Sequence, residues 1–284
     1  MYEEILSDHQ LTATVRDFRK HLTDLERAPA TAEKYQRDLR KLLRFAARKP
    51  LDRSLLCAFK AHIGAIQSPK GANSVLAAIN AYLKFIGRAD LVLKPFRIQK
   101  EICCPEEKEL SKSEYLRLCA AARKQKKDRL ALLIETVCGT GIRISELSYI
   151  TVEAARSGKA TVSCKGKMRV IFLVSILRKK LLRYAEKNGI ASGVIFVTRK
   201  GSPMNRSNIW REMKALCTAA NVAPTKVFPH NLRHLFARIF YALEKDVVRL
   251  ADILGHSSIN TTRIYLIHTG RELQKRLEAM HLIL

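Results

Sequence analysis

Residues 255–268 read GHSSINTTRIYLIH. Gly255 follows the apolar-periodic run DVVRLADIL (246–254) and is a stop signal for that helix. The stretch therefore predicts a short turn and one further helix that carries Tyr265. A tyrosine at helical spacing from apolar neighbours ordinarily fills core. Whether this one has another task depends on what polar groups the rest of the chain brings to it.

Three upstream segments supply such groups. GTGIRISEL (139–147) sets Arg143 behind Gly139 and Gly141, at a predicted helix start. CKGKMRV (164–170) sets Lys165 at the tip of a predicted hairpin, with Gly166 and Lys167 turning the chain. PHNLRH (229–234) sets His230 and Arg233 three apart, on one face of a helix turn. Taken singly, each group has an ordinary explanation: a salt-bridged arginine, an exposed hairpin lysine, a capping histidine. His256 after Gly255 reads equally well as part of a cap.

Taken together they are what phosphodiester cleavage without a metal requires. Attack on phosphorus builds charge on the non-bridging oxygens, which arginine forks neutralise. A tyrosine hydroxyl needs positive surroundings and a base to act as a nucleophile. The departing sugar oxygen needs a proton from a lysine or histidine. No carboxylate trio suited to Mg²⁺ stands out, so two-metal chemistry is the weaker reading, and no cofactor is expected.

Composition agrees. The 284 residues carry 52 Lys and Arg against 26 Asp and Glu, a formal net charge of +26, which favours a polyanionic partner. The length suits two domains, and 47% hydrophobic residues suffice for a core. Seven scattered cysteines without a CxxC pair exclude a disulfide framework and a structural zinc site as the natural reading. MYEEILSDHQ lacks the apolar core of a signal peptide, and no run is long enough to span a bilayer. A cytoplasmic, nucleoid-associated protein is expected.

The chain divides on pattern. Residues 1–98 read as all-α and basic. In TAEKYQRDLRKLLRFAARKP, Tyr35, Leu39, Leu42 and Ala46 form one stripe, while Lys34, Arg37, Lys41 and Arg44 lie off it. SVLAAINAYLKFIG predicts a second helix stopped by Gly87. A linker falls near residues 96–109, after which Ser111 and Glu114 form a capping box. Residues 110–284 read as helical around a small antiparallel sheet: β-prone runs at 160–164 and 169–174, with a third at 194–198 (VIFVT).

The ordered set GTGIRISEL, CKGKMRV, PHNLRH and LGHSSINTTRIY resembles the tyrosine recombinase family, also called the phage integrase family, in its Xer-type form. TAEKYQRDLRKLLRF resembles that family's helical core-binding domain. The resemblance implies a mainly α (α+β) protein of two domains forming a C-shaped clamp on duplex DNA. It also implies a recombinase that breaks and rejoins strands through a 3′-phosphotyrosyl intermediate. By position, Arg143 and Arg233 hold the scissile phosphate and Lys165 protonates the leaving 5′ oxygen. His230 serves as acid or base, His256 hydrogen-bonds the phosphate, Tyr265 attacks, and Glu146 gives support. Lys34, Arg37, Lys41 and Lys70 are the expected phosphate contacts of the N-terminal domain. The family also implies a homotetramer on two DNA sites, or a heterotetramer with a related recombinase, joined by exchange of the C-terminal segment bearing Leu273, Leu277 and Met280.

Three departures stand out. Cys164 precedes Lys165 where glycine is frequent. HLFARIF after Arg233 is bulky. Leu266 and Ile267 follow Tyr265, with His268 one place late. Two other readings compete: a helix-turn-helix regulator built from residues 246–265, and a type IB topoisomerase-like relaxing enzyme.

Overall fold

The computed structural model describes residues 8–47, 49–98, 106–164, 167–198, 200–256, 258–266, 274 and 278–280. Lys165, Gly166, Leu273 and Leu277 lie outside them. The chain divides into two compact units, residues 1–100 and 101–284.

The first unit packs four helices: α1 (Asp8–Asp24), α2 (Pro29–Ala46), α3 (Arg53–Ile66) and α4 (Pro69–Phe85). Each of the last three starts on a local signal. Pro29 and Pro69 open α2 and α4, where a missing N–H costs nothing. Asp52 caps α3 and Ser68 caps α4. The expected stripe of α2 is the buried one: Leu39, Leu42 and Ala46 face the core beside Phe18, Phe59 and Ile79, and Tyr35 packs at its edge. The chain turns at Gly87 with φ of 75°. Residues 93–96 then lie back along α4. Asn80 and Asn73, seven apart on that helix, each exchange two hydrogen bonds with the backbone, of Leu93 and Phe96 respectively.

The second unit begins with α5 (Lys112–Lys124), whose Ser111–Glu114 capping box is formed in both directions. Next comes α6 (Asp128–Thr140), buried along nearly its whole length from Leu130 to Thr140. Its two polar core residues are satisfied internally, Thr136 and Thr140 donating to the carbonyls of Leu132 and Thr136. Gly141 closes α6 in the left-handed region at φ 64°. A Cβ there would meet Phe236 at 2.5 Å. The bulky HLFARIF segment is thus accommodated by a glycine far away in sequence. A 3₁₀ helix (Ile144–Tyr149) follows in place of the expected α-helix, then α7 (Val152–Ser157).

Strands β1 (Lys159–Cys164) and β2 (Lys167–Phe172) form one antiparallel hairpin, with Val162 opposite Arg169 and Cys164 opposite Lys167. Lys167 therefore belongs to the ladder and not to the turn. The third β-prone run does not join the sheet. Val194 bridges Thr151, and Val197 bridges Pro203. Glycines with positive φ flank the run at 193 and 201, and Pro203 has no N–H to extend a ladder. Ile195 and Phe196 are both buried, as core filler and not as an alternating strand.

The unit is completed by α8 (Ser175–Lys187), α9 (Arg206–Lys214), α10 (Cys217–Ala220), α11 (Pro229–Glu244), α12 (Val247–Leu254) and α13 (Ile259–Arg263). A 3₁₀ turn over Ile264–Leu266 then carries Tyr265. The helix expected after Gly255 is thus broken into two short pieces. Among the described residues no helix is long and apolar enough to cross a membrane.

Candidate active site

The site is built on the C-terminal end of α12. A helix leaves its last carbonyls without intrahelical partners and concentrates negative potential there. In this helix three successive carbonyls each accept from a different arginine. Ile253 O accepts from Arg169 Nη1 at 2.6 Å, Leu254 O from Arg233 Nη2 at 2.7 Å, and Gly255 O from Arg143 Nη2 at 3.2 Å. Side chains from β2, α11 and the start of the 3₁₀ helix therefore converge on one turn, closed by Gly255 at φ 64°.

Three guanidiniums so close repel one another. One carboxylate offsets part of that. Glu146, only 2% exposed, accepts from the Arg143 backbone N–H and Nη1, both at 2.9 Å, and from Arg169 Nη2 at 2.5 Å. Burial works against its ionisation, but these hydrogen bonds and the two guanidiniums outweigh it and hold its carboxyl below the usual range. Two positive charges remain in surplus. Arg233 is 1% exposed. Burial, with Arg143 pushing the same way, brings its guanidinium down to about 10, still charged at neutral pH. Its Nη1 donates to Gly141 O, and its buried Nε has no hydrogen-bond partner among the described residues.

Histidines surround the tyrosine. Tyr265 is 4% exposed and its ring packs with Ala237, Leu250 and Leu254. Its hydroxyl lies 3.3 Å from His230 Nε2. The ring lies tilted against His234 at 4.2 Å and stacks on His256 at 5.3 Å. Tyr265 is therefore both a core aromatic and a hydroxyl delivered to a histidine. His256 Nε2 lies 3.0 Å from Arg233 Nη2, and its Nδ1 is 2.8 Å from Thr262 Oγ1. A guanidinium only donates, so Nε2 accepts and the ring proton resides on Nδ1, pointing at the threonine.

All three imidazoles are held neutral. Burial lowers His230, helped by Arg233, Arg206 and Arg143. Burial and His230 bring His234 down to about 4. Burial and the arginines bring His256 to about 4. For His234 and His256 the unfolded chain binds the proton near pH 6.5 and the folded chain refuses it until about 4. Their contribution to stability is thus present above about 6.5 and is lost as pH falls through the folded values. Thermal unfolding followed by circular dichroism should show a midpoint that drops steadily from pH 7 to pH 4. His234→Gln should flatten that slope, and an unchanged slope would contradict the assignment.

Arg143, His230, Arg233, His256 and Tyr265 come together as the sequence reading expects, and Glu146 supports them. Lys165 lies outside the described residues. The reading missed Arg169, His234 and Thr262, although each left a signal. Alternation along MRVIF puts Arg169 on the face of buried Ile171, where a charge needs a partner. His234 lies one helix turn after His230. Thr262 lies three residues before Tyr265. In the first unit, Arg37 and Lys70 are exposed. Lys34 and Lys41 instead grip buried Asp38 at 2.6 and 2.8 Å, and Lys34 also donates to Ser74 O. Burial opposes charging of Asp38, but both lysines overcome it and keep its carboxyl low.

A cluster of guanidiniums on a helix end, beside a tyrosine hydroxyl on a neutral histidine, is the make-up of a phosphoryl-transfer site. Residues 108–271 match the phage integrase family. Over 281 residues, covering 95% of both chains, the sequence is 28% identical to tyrosine recombinase XerA of Thermococcus kodakarensis. It is 30% identical to the XerA of Pyrococcus furiosus over 76% of each chain. Among solved structures, XerH recombinase bound to its difH substrate before cleavage superposes with a TM-score of 0.70 at 20% identity, over 98% of this chain and 85% of that one. A lambda integrase tetramer on a Holliday junction gives 0.72 at 17% identity, over 90% and 76%. The chain belongs to the phage integrase family and is a tyrosine-type site-specific recombinase. The regulator reading is not favoured: α13 has five residues, and Thr262 and Tyr265 turn inward to the histidines.

Proposed function

We propose that Tyr265 cleaves DNA by attacking the scissile phosphate, and that the released strand is rejoined to a partner duplex. The proximity of the Tyr265 hydroxyl to neutral His230, beside the arginine-capped end of α12, carries this reading. The hydroxyl proton passes to His230 Nε2 as the oxygen bonds to phosphorus. Arg143 and Arg233, through its unpartnered Nε, take up the charge on the non-bridging oxygens. The bond to the 5′ oxygen breaks, and Lys165 supplies the proton that oxygen needs. The products are a 3′-phosphotyrosyl link and a free 5′ hydroxyl, and rejoining runs the same steps backwards with another strand's hydroxyl. His256 steadies Arg233 in the free enzyme; with the ring proton moved from Nδ1 to Nε2, and the Thr262 hydroxyl then donating to Nδ1, it hydrogen-bonds the phosphate.

The substrate is double-stranded DNA. In the N-terminal unit Arg37 and Lys70 meet phosphates. Lys34 and Lys41 contribute less, because Asp38 already occupies them. Such contacts set position and not sequence. Four protomers act on two sites, either four copies of this chain or a mixture with a related recombinase, linked through the segment after Tyr265.

The test uses a plasmid carrying two directly repeated sites selected from random duplexes by binding. Deletion of the intervening DNA, in the presence of EDTA, is the expected result. Relaxation of supercoils without deletion would favour the topoisomerase reading. Removing residues 271–284 should spare cleavage of a single site and abolish deletion, and a truncated protein that still deletes would remove the role given to that segment.

A further inference from the structure

We propose that Arg169 is a positioning residue for strand cleavage: it keeps Arg143 available to the phosphate and fixes the turn that carries His256. This rests on the reading of Arg143 as a phosphate-binding residue.

Arg169 sits in the middle of β2, opposite Val162, with 11% of its side chain exposed. Both terminal nitrogens are committed to the protein, Nη1 to Ile253 O and Nη2 to Glu146. One guanidinium thus joins the strand to the end of α12 and to the carboxylate that orients Arg143.

The stoichiometry gives this contact its meaning. Glu146 alone with Arg143 would form a closed, neutral pair, with the carboxylate drawing the guanidinium onto itself. Arg169 shares the carboxylate, so Arg143 keeps part of its charge and its Nη2 stays on Gly255 O at 3.2 Å. The shape of the turn agrees independently. A Cβ at Gly255 would lie 2.5 Å from Arg169 Cδ and 2.9 Å from its Nε. The arginine side chain runs hard against the backbone one residue before His256. Gly255 is required twice over, by its φ of 64° and by the passage of Arg169.

The experiment compares Arg169→Met, Arg169→Lys and Arg143→Ala on a nicked site, under single turnover with protein saturating. Each is measured with an ordinary scissile phosphate and with a methylphosphonate, in which a methyl group replaces one charged oxygen. Arg169→Met should cut the ordinary phosphate about tenfold to a hundredfold more slowly, as a misplaced clamp predicts, with DNA affinity within about threefold. Its defect should shrink on the methylphosphonate, as that of Arg143→Ala does, because less charge needs neutralising. Arg169→Lys keeps the charge but reaches one partner of two, so it should fall between Met and wild type. Gly255→Ala, which leaves every charged group in place but crowds Arg169, should show the same pattern more weakly.

A wild-type rate for Arg169→Met would overturn the inference. So would an equal defect on both substrates while that of Arg143→Ala shrinks, since that marks a merely structural residue. If Arg143→Ala itself is indifferent to phosphate charge, the assignment of Arg143 is at fault and this inference falls with it.

Discussion

Tyr265→Phe should fold, bind DNA and form no covalent adduct. The substitution keeps the ring, and the ring makes the packing against Ala237, Leu250 and Leu254 and the contacts with His234 and His256. It removes one hydroxyl, whose contact with His230 is long, at 3.3 Å. The cost in stability is at most about 1 kcal/mol. Chemistry should be lost completely, because no other oxygen can take the nucleophile's place. The measurement is capture on a nicked site from which a short fragment diffuses away after attack. Wild-type protein should give a protein–DNA band that survives boiling in detergent, with the 3′ phosphate on a peptide containing Tyr265. Tyr241 is the nearest rival in sequence and packs beside the same apolar cluster, while the Tyr149 hydroxyl is occupied by Ser163 O at 3.0 Å. An adduct in Tyr265→Phe, or one mapped to Tyr241, would refute the assignment.

The ring and the hydroxyl also show what a sequence can and cannot disclose. Core aromatic and nucleophile look like alternatives along the chain, because periodicity reports only which face is buried. In the fold the two are compatible, since burial of the ring aims the hydroxyl at His230. Residues set by local rules were legible: the stripe of α2, the Ser111–Glu114 box, the His230–Arg233 spacing, the stop at Gly255. The residues that gather around Tyr265 were legible because chemistry restricts their types and a family resemblance ordered them. Contacts between distant segments were not. Arg169 meets Ile253 across 84 positions, and Gly141 makes room for Phe236 nearly a hundred residues on. The run 194–198 misled for a related reason. Its β-branched residues satisfy strand propensity, yet tertiary packing uses Ile195 and Phe196 as filler and leaves only bridges. Lys34 and Lys41 were expected to meet phosphates, although their spacing from Asp38, at i−4 and i+3, already offered the ion pairs that hold them.

Arg143→Ala and Arg233→Ala should both nearly abolish cleavage, yet for separable reasons. Loss of one charge-assisted donor from a phosphoryl-transfer transition state costs about 3–4 kcal/mol, a factor of roughly a hundred or more in rate. DNA affinity should fall far less in either variant, because many cations share the phosphate contacts. Their stabilities should differ. The Arg143 side chain is one-third exposed, and without it Glu146 still has Arg169 as counter-ion. That variant should melt close to wild type. Arg233 is buried and is the donor to Gly141 O and Leu254 O. Its removal leaves two buried carbonyls unpaired, each worth about 1–3 kcal/mol, beside an emptied volume. Arg233→Ala should therefore lose both rate and melting temperature. Arg233→Lys keeps the charge but cannot span both carbonyls and still face the phosphate, so it should recover part of the stability and little of the rate. Melting curves and single-turnover cleavage on the same preparations decide the matter. Wild-type cleavage by Arg143→Ala would remove it from the phosphate clamp. An Arg233→Ala protein as stable as wild type would mean that the end of α12 is held by something other than the arginines that converge on it.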